Sequence, residues 1–369
     1  MSASENFNLF KPIKLGNNVL KHRVAMAPLT RFRANDNHIP SEMAKTYYEQ
    51  RASCGGLIIT EGTIVSEDSS HWPNVPGIYT REQIEAWKGI TDAVHAKGSV
   101  IYTQIWMAGR ADVVPRFSAS AIPITPEDGK EPLIPRALET SEIPGIVELF
   151  RQAAVNAIEA GFDGVEIHGA NGYLLDQFLQ SNSNKRTDQY GGSVENRARL
   201  LLEITEAVSN AIGQEHVGVR FSPYSGFQDM HDENPVETFS IITQILQDRF
   251  DKLAYLHFLE PRISGAKDKS EVGEEVGSET LEPYRKIWKG VFLRAGGHTV
   301  QSATAAAQQN ENDIIVFGRH FIANPDLPCR LKNGYTLNKY ERETFYSVGS
   351  PVGYIDYPFY QESQIKVLQ

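Results

Sequence analysis

Eight short apolar segments of β-type composition run through this chain, at 23–27, 56–60, 99–105, 163–167, 216–221, 253–258, 291–295 and 313–317. Helical patterns lie between most of them, over 41–52, 81–97, 144–160, 193–212, 235–250 and 300–310. In the fourth of these Ser193 stands at the N-cap with Glu195 in the first turn, and Leu201, Ile204, Val208 and Ile212 recur at helical spacing. Strands that alternate with helices predict parallel pairing through crossovers. Eight such units in 369 residues predict a (β/α)8 TIM barrel of the α/β class. A doubly wound sheet is disfavoured because no G-x-G-x-x-G follows the first strand. No linker, internal repeat or low-complexity tract breaks the pattern, so residues 1–369 read as one domain.

Four segments fall outside the alternation. Residues 7–20 read as a hairpin turning at Gly16, Asn17 and Asn18, placed to plug one end of the barrel. The stretch 106–143 after the third strand is rich in proline and predicts a lid over the barrel mouth. The charged, glycine-containing 260–281 segment is expected to be mobile. The tail 333–369 holds Tyr335, Tyr340, Phe345, Tyr346, Tyr354, Tyr357, Phe359 and Tyr360, a density that predicts packing.

Charge narrows the partners. A formal net charge of −10 argues against a nucleic acid or an anionic membrane as main partner. Cys54 and Cys329 form no CxxC pair, so no zinc site is suggested and no metal is expected. The N-terminus lacks a basic region followed by an apolar run, and no stretch approaches a spanning length, which leaves a cytoplasmic location as the default.

In such a barrel the chemistry sits at the C-terminal ends of the strands. Those ends carry Pro28, Leu29 and Thr30 after the first strand, Glu61 and Gly62 after the second, and Gln104 and Trp106 at the third. His168, Asn171 and Tyr173 follow the fourth: an imidazole, an amide and a phenol within six residues of loop. Arg220 ends the fifth, where a buried cation needs a partner. Gly296 and Gly297 follow the seventh, and Gly318 and Arg319 the eighth. Bare backbone N–H groups and an arginine there suit a phosphorylated ligand.

With these residues in view, the chain resembles the Old Yellow Enzyme family of FMN-dependent ene-reductases along nearly its whole length. The matching pieces include MAPLTRFRA at 26–34, TEGT at 60–63, YTQIWMAGR at 102–110, GFDGVEIHGANGYLLDQFLQ at 161–180 and RTDQYGGSVENRARLLLEI at 186–204, with VRFSP, RAGGHT, FGRHFIANPDLPCRL and LNKYERETFY further on. The resemblance implies non-covalent FMN, with Pro28, Leu29, Thr30, Gly62, Gln104 and Arg220 along its ring and Gly296, Gly297, Gly318 and Arg319 around its phosphate. It implies that His168 and Asn171 bind the carbonyl oxygen of an α,β-unsaturated carbonyl substrate, that Tyr173 protonates Cα, and that Tyr346, Trp106 and Phe345 flank the substrate. NAD(P)H would be the reductant, NADPH favoured, in a ping-pong cycle with phenols as ligands and the protein a monomer or homodimer. Thr30 stands where a thermophilic-like branch carries cysteine, which resembles the fungal and plant members instead.

Two other readings stay open on the sequence. A flavin-free barrel enzyme would use the same glycines for a substrate phosphate, yet it needs a Schiff-base lysine or a metal cluster that the strand ends lack. A flavoprotein that binds ligands without turnover, or one specialised for isomerisation in secondary metabolism, would not need the acid at Tyr173.

Overall fold

Side chains alternate from face to face along a strand, and here that alternation sorts each predicted segment into an inward and an outward set. The computed structural model describes residues 8–52, 55–126, 129–264, 267–268 and 277–360. The barrel strands are β1 (Val24–Met26), β2 (Leu57–Ile64), β3 (Val100–Trp106), β4 (Gly164–Gly169), β5 (Val217–Phe221), β6 (Tyr255–Leu259), β7 (Phe292–Ala295) and β8 (Asp313–Phe317). They pair in parallel, in chain order, and β8 closes on β1 through Phe317 and Met26. This is the predicted (β/α)8 TIM barrel.

Val24, Met26, Ile58, Ile101, Val165, Ile167, Val219, Leu256 and Phe258 face outward into the layer of helices. Ala25, Leu57, Ile59, Val100, Tyr102, Tyr255, Leu293, Ile314 and Val316 fill the interior. At the same inward parity β3 to β6 place Gln104, Glu166, His168, Arg220 and His257, all buried. The barrel is therefore apolar on one side and charged on the other.

The helices are α1 (Glu42–Arg51), α2 (Arg81–Ala96), α3 (Ile143–Glu159), α4 (Leu174–Leu179), α5 (Val194–Ile212), α6 (Pro235–Arg249), α7 (Glu282–Ile287), α8 (Val300–Gln309), α9 (Arg319–Ala323) and α10 (Leu327–Asn333). The six predicted helices are all present. The four that periodicity missed span at most seven residues, too few for two turns to repeat. Ser193 accepts from the Asn196 N–H as the cap of α5, and Gly213 ends that helix at φ 91°.

The hairpin pairs Ile13–Leu15 with Asn18–Leu20, and Ile13, Leu15 and Leu20 join the barrel interior. Gly16 turns it at φ 53°, and a Cβ there would lie 2.0 Å from the Glu215 carbonyl oxygen, just before β5. The hairpin thus plugs the N-terminal end and leaves the C-terminal mouth open. In the 106–143 segment Phe117–Ser118 and Arg136–Ala137 pair as short strands. Arg110 ties it to the Gln228 and Asp229 carbonyls at 3.0 and 3.3 Å, beyond β5, and Arg186 holds the Ala119 and Leu138 carbonyls. The core of the 260–281 segment, at 265–266 and 269–276, lies outside the described residues.

The aromatic tail packs in part: Tyr346 and Phe359 are exposed, whereas others are held. Tyr354 is fully buried with its ring stacked on Tyr47 at 4.2 Å, and Tyr335 stacks on Tyr360 at 3.8 Å. Among the described residues no helix is long and apolar enough to cross a membrane. Nor do they place three or more His, Cys, Asp or Glu to hold a metal ion.

Candidate active site

The polar half of the barrel interior is built strand by strand. Gln104 and Glu166 are register neighbours on β3 and β4, and Gln104 Nε2 donates to Glu166 Oε1 at 2.7 Å. Across β5 stands Gly218, in register with Glu166 and without a side chain, so the carboxylate reaches His257 on β6. His257 Nδ1 donates to Oε2 at 2.7 Å, since a carboxylate only accepts. Burial alone would push the Glu166 carboxyl up, but His257, Arg220 and Gln104 hold it below its ordinary value. Burial, against the pull of Glu166, keeps His257 low and neutral.

One layer above, Arg220 is in register with His168 on one side and His257 on the other. It is buried, and its Nε has no partner among the described residues. Burial depresses its pKa and Glu166 supports it. Burial, then Arg220 and His257, hold His168 well below the usual imidazole range. His168 is therefore a neutral group with one N–H to give.

The loop after β4 is held open by backbone hydrogen bonds. Asn171 sits in the left-handed region at φ 57°, its N–H bound to Ser222 Oγ at 2.7 Å, and its Oδ1 is buried without a partner. Gly172 donates to Asp176 Oδ2 at 2.8 Å, and its carbonyl accepts from Gln177 Nε2 at 2.7 Å. Tyr173 then caps α4 with its ring 5.1 Å from His168 and 4.6 Å from Trp106, edge-on to the latter. Burial, reinforced by Tyr346 and opposed by Gln228 and Arg220, pushes the phenol up to about 12. It stays protonated through the neutral range.

Asp176 beneath this loop carries a pH dependence. Burial raises its carboxyl from 3.8 to about 7, against hydrogen bonds from Gln180 and the Gly172 N–H. Between these values the folded state holds a proton that the unfolded state has lost. Stability from this group is therefore full below about pH 4 and declines as pH rises to about 7. Asp176→Asn keeps an acceptor for Gly172, and its new N–H can meet the Gln180 Oε1 that now lacks a partner. Urea melts should show the variant equal to wild type at pH 4 and about 2–4 kcal/mol more stable at pH 8. A wild type more stable than the variant at pH 8 would mean the carboxylate is needed ionised.

The other expected site residues gather around the same mouth. Gly62 is in register with Gln104 beyond a bulge in β2, and a Cβ there would lie 2.8 Å from Trp106 Nε1. The Ala27 N–H bonds to the Phe317 carbonyl at 3.0 Å, which brings buried Pro28 and half-buried Leu29 and Thr30 beside Gly318. A Cβ on Gly318 would meet Leu29 at 3.3 Å. Gly296 and Gly297 lie at φ 132° and 57°, and the Gly296 carbonyl accepts from Arg262 Nε at 2.8 Å. The Arg319 guanidinium lies 5.6 Å over the Tyr340 ring. Tyr346 is 51% exposed with its ring 5.8 Å from Phe32. Phe345 differs: its buried ring contacts Tyr340 and Tyr346.

Several working residues were not read from the sequence. Arg31 and Arg33 anchor the tail, Arg31 Nε donating to the Phe345 carbonyl at 3.0 Å and Arg33 Nη1 to the same oxygen at 2.8 Å. Arg31 also bonds Tyr47 Oη and the Gly353 carbonyl, and Arg51 bonds the Phe321, Ile322 and Tyr354 carbonyls. Gln228, on the loop after β5 at φ 60°, opposes the upward push of burial on the Tyr173 phenol. The only advance signal was two arginines flanking Phe32 in RFR, which shows cations and not their acceptors.

Residues 8–338 match the NADH:flavin oxidoreductase / NADH oxidase family. The chain is 45% identical over 368 residues to a putative 12-oxophytodienoate reductase 2 of Oryza sativa subsp. japonica, covering 98% of this chain and 96% of that protein. It is 48% identical over 368 residues to the NADP-dependent oxidoreductase lnbE of Aspergillus flavus, covering 95% and 96%. Among solved structures it is similar to Old Yellow Enzyme from Pichia sp. AKU4542, at TM-score 0.88 and 38% identity over 98% and 95% of the two chains. It is also similar to morphinone reductase in complex with tetrahydroNAD, at TM-score 0.86 and 42% identity over 96% and 98%.

Proposed function

Since the chain belongs to the NADH:flavin oxidoreductase / NADH oxidase family, as an Old Yellow Enzyme-type flavoprotein, we propose how its own residues carry out the family's reaction. It is an FMN-dependent oxidoreductase that takes hydride from NAD(P)H and reduces the activated C=C bond of α,β-unsaturated carbonyl compounds. NADPH is the reductant proposed, in keeping with the name of the Aspergillus flavus relative, an NADP-dependent oxidoreductase. Bound FMN supplies the two-electron carrier between the two substrates.

The residues at the mouth fit that group. Arg220 offers a buried cation whose Nε has no protein partner, suited to an electron-rich ring edge. Gly62 and Gly318 have no side chain where Trp106 and Leu29 already stand, and with Pro28, Leu29, Thr30 and Gln104 they would line the ring. Gly296, Gly297, Gly318 and Arg319 would hold the phosphate through bare N–H groups and a guanidinium.

The observation that carries the reading is the trio at the end of β4. His168 is held neutral, and three residues on in the same loop Asn171 offers an uncharged amide, its oxygen buried without a partner. Their N–H donors would hold the substrate carbonyl oxygen and stabilise the enolate charge that grows there as hydride arrives at Cβ. The Tyr173 hydroxyl, kept protonated by burial, gives its proton to Cα. Trp106 fixes the Tyr173 ring, and Tyr346 beside Phe345 covers the exposed side of the substrate.

Anaerobic stopped-flow tests the whole reading. Purified protein should show flavin absorbance that bleaches with NADPH and returns when cyclohexenone is added. Bleaching without return would replace enone reduction by ligand binding or a different acceptor, and a colourless protein would remove the flavin.

A further inference from the structure

Both oxygens of the Glu166 carboxylate are spoken for inside the barrel, Oε1 by Gln104 Nε2 and Oε2 by His257 Nδ1, each at 2.7 Å. The side chain is fully buried, as is that of His257. Arg220 is the nearest cation on the inward faces of β3 to β6. It stands two register positions up, about 7 Å along the strand from the level of Gly218, and makes no ion-pair contact with Glu166. The anion therefore neutralises the guanidinium at a distance and leaves its donors free toward the mouth. It also takes one of the two N–H groups of the Gln104 amide and so fixes which way that amide faces, leaving its second N–H and its carbonyl oxygen to offer a ligand.

Resting on the reading that FMN occupies the mouth, we propose that Glu166 is a positioning residue for that cofactor. Held by His257, it fixes the orientation of the Gln104 amide and sets the net charge that Arg220 presents to the ring. A bare Arg220 would over-stabilise negative charge at the mouth, whether on the reduced cofactor or on an anionic ligand stacked against it. Glu166 tempers that field without touching the ring. A carboxylate in direct contact with Arg220 would instead have consumed its donors, and an apolar residue at 166 would have left the cation unbalanced.

The test uses the FMN-loaded protein. Glu166→Gln keeps an oxygen for Gln104 and a polar group for His257 while deleting the charge. The flavin midpoint potential should rise, and the dissociation constant of p-chlorophenol, read from its long-wavelength band, should fall about tenfold. Potentials should then order as Arg220→Gln lowest, wild type and Glu166→Gln/Arg220→Gln together in the middle, and Glu166→Gln highest. The double variant buries no net charge from this pair and covers the case in which Glu166→Gln alone does not fold.

A double variant with the same potential as Arg220→Gln, or a Glu166→Gln protein that loses stability with potential and phenol affinity unchanged, would overturn the inference and leave Glu166 a structural group. Wild-type protein without bound FMN would instead defeat the family-based reading on which it rests, a separate result.

Discussion

Tyr173→Phe is expected to slow the reoxidation of NADPH-reduced protein by cyclohexenone by about 10²-fold or more, and to leave the preceding reduction by NADPH within about threefold of wild type. The asymmetry follows from where the hydroxyl acts. Phenylalanine keeps the ring, so the contacts at 5.1 Å to His168 and 4.6 Å to Trp106 persist and the loop after β4 does not move. What disappears is one buried proton donor whose pKa burial has raised to about 12. Hydride delivery to Cβ then builds enolate charge with no acid in place, and water is kept from Cα by the same rings. Since Tyr173 is protonated throughout the neutral range, the wild-type oxidative rate should also be flat from pH 6 to 9 as far as this group is concerned. Stopped-flow traces of the two half-reactions taken separately decide the matter. Equal slowing of both would show that the substitution disturbs the flavin site and would end the assignment of Tyr173 as the acid.

Arg31→Met should cost about 3–5 kcal/mol of stability, the largest loss expected from any single residue outside the mouth. Arg31 is fully buried, and its donors go to the Phe345 carbonyl, Tyr47 Oη at 3.0 Å and the Gly353 carbonyl at 2.8 Å. Methionine fills much of the volume, and Arg33 still serves Phe345, which keeps the loss below three full unsatisfied groups. The remaining acceptors stay buried without donors, at about 1–3 kcal/mol each. Because Tyr346 follows Phe345, the variant should also raise KM for the enone more than it lowers kcat. Urea denaturation measures the first effect and steady-state kinetics the second. An unchanged denaturation midpoint would mean that aromatic packing alone, through the Tyr47 and Tyr354 stack, holds the tail.

Much of the mouth was legible before any coordinates because a parallel barrel delivers the C-terminal ends of all its strands to one face. Once eight apolar segments were found, His168, Arg220, Gly296 and Gly318 had to lie together, however far apart in the chain. Phe345 shows the limit. Its place beside Tyr346 suggested a ring near the substrate, but nothing in the sequence showed that its backbone carbonyl also accepts from Arg31 and Arg33. A motif marks which residue matters without telling whether its side chain or its backbone is used.

Local pattern thus determined the strands, the longer helices, the hairpin plug and the roster of polar groups at the mouth, since periodicity and capping act within a few residues. Tertiary structure alone decided the partners. Glu166 meets His257 across the gap at Gly218, Asn171 meets Ser222 from the next strand's loop, and Arg31 finds carbonyls 314 and 322 residues away. Long polar side chains have many rotamers and no preferred partner in the unfolded chain. Only the packed barrel removes the alternatives, because a buried donor or charge left without an acceptor costs more than any local preference can offset.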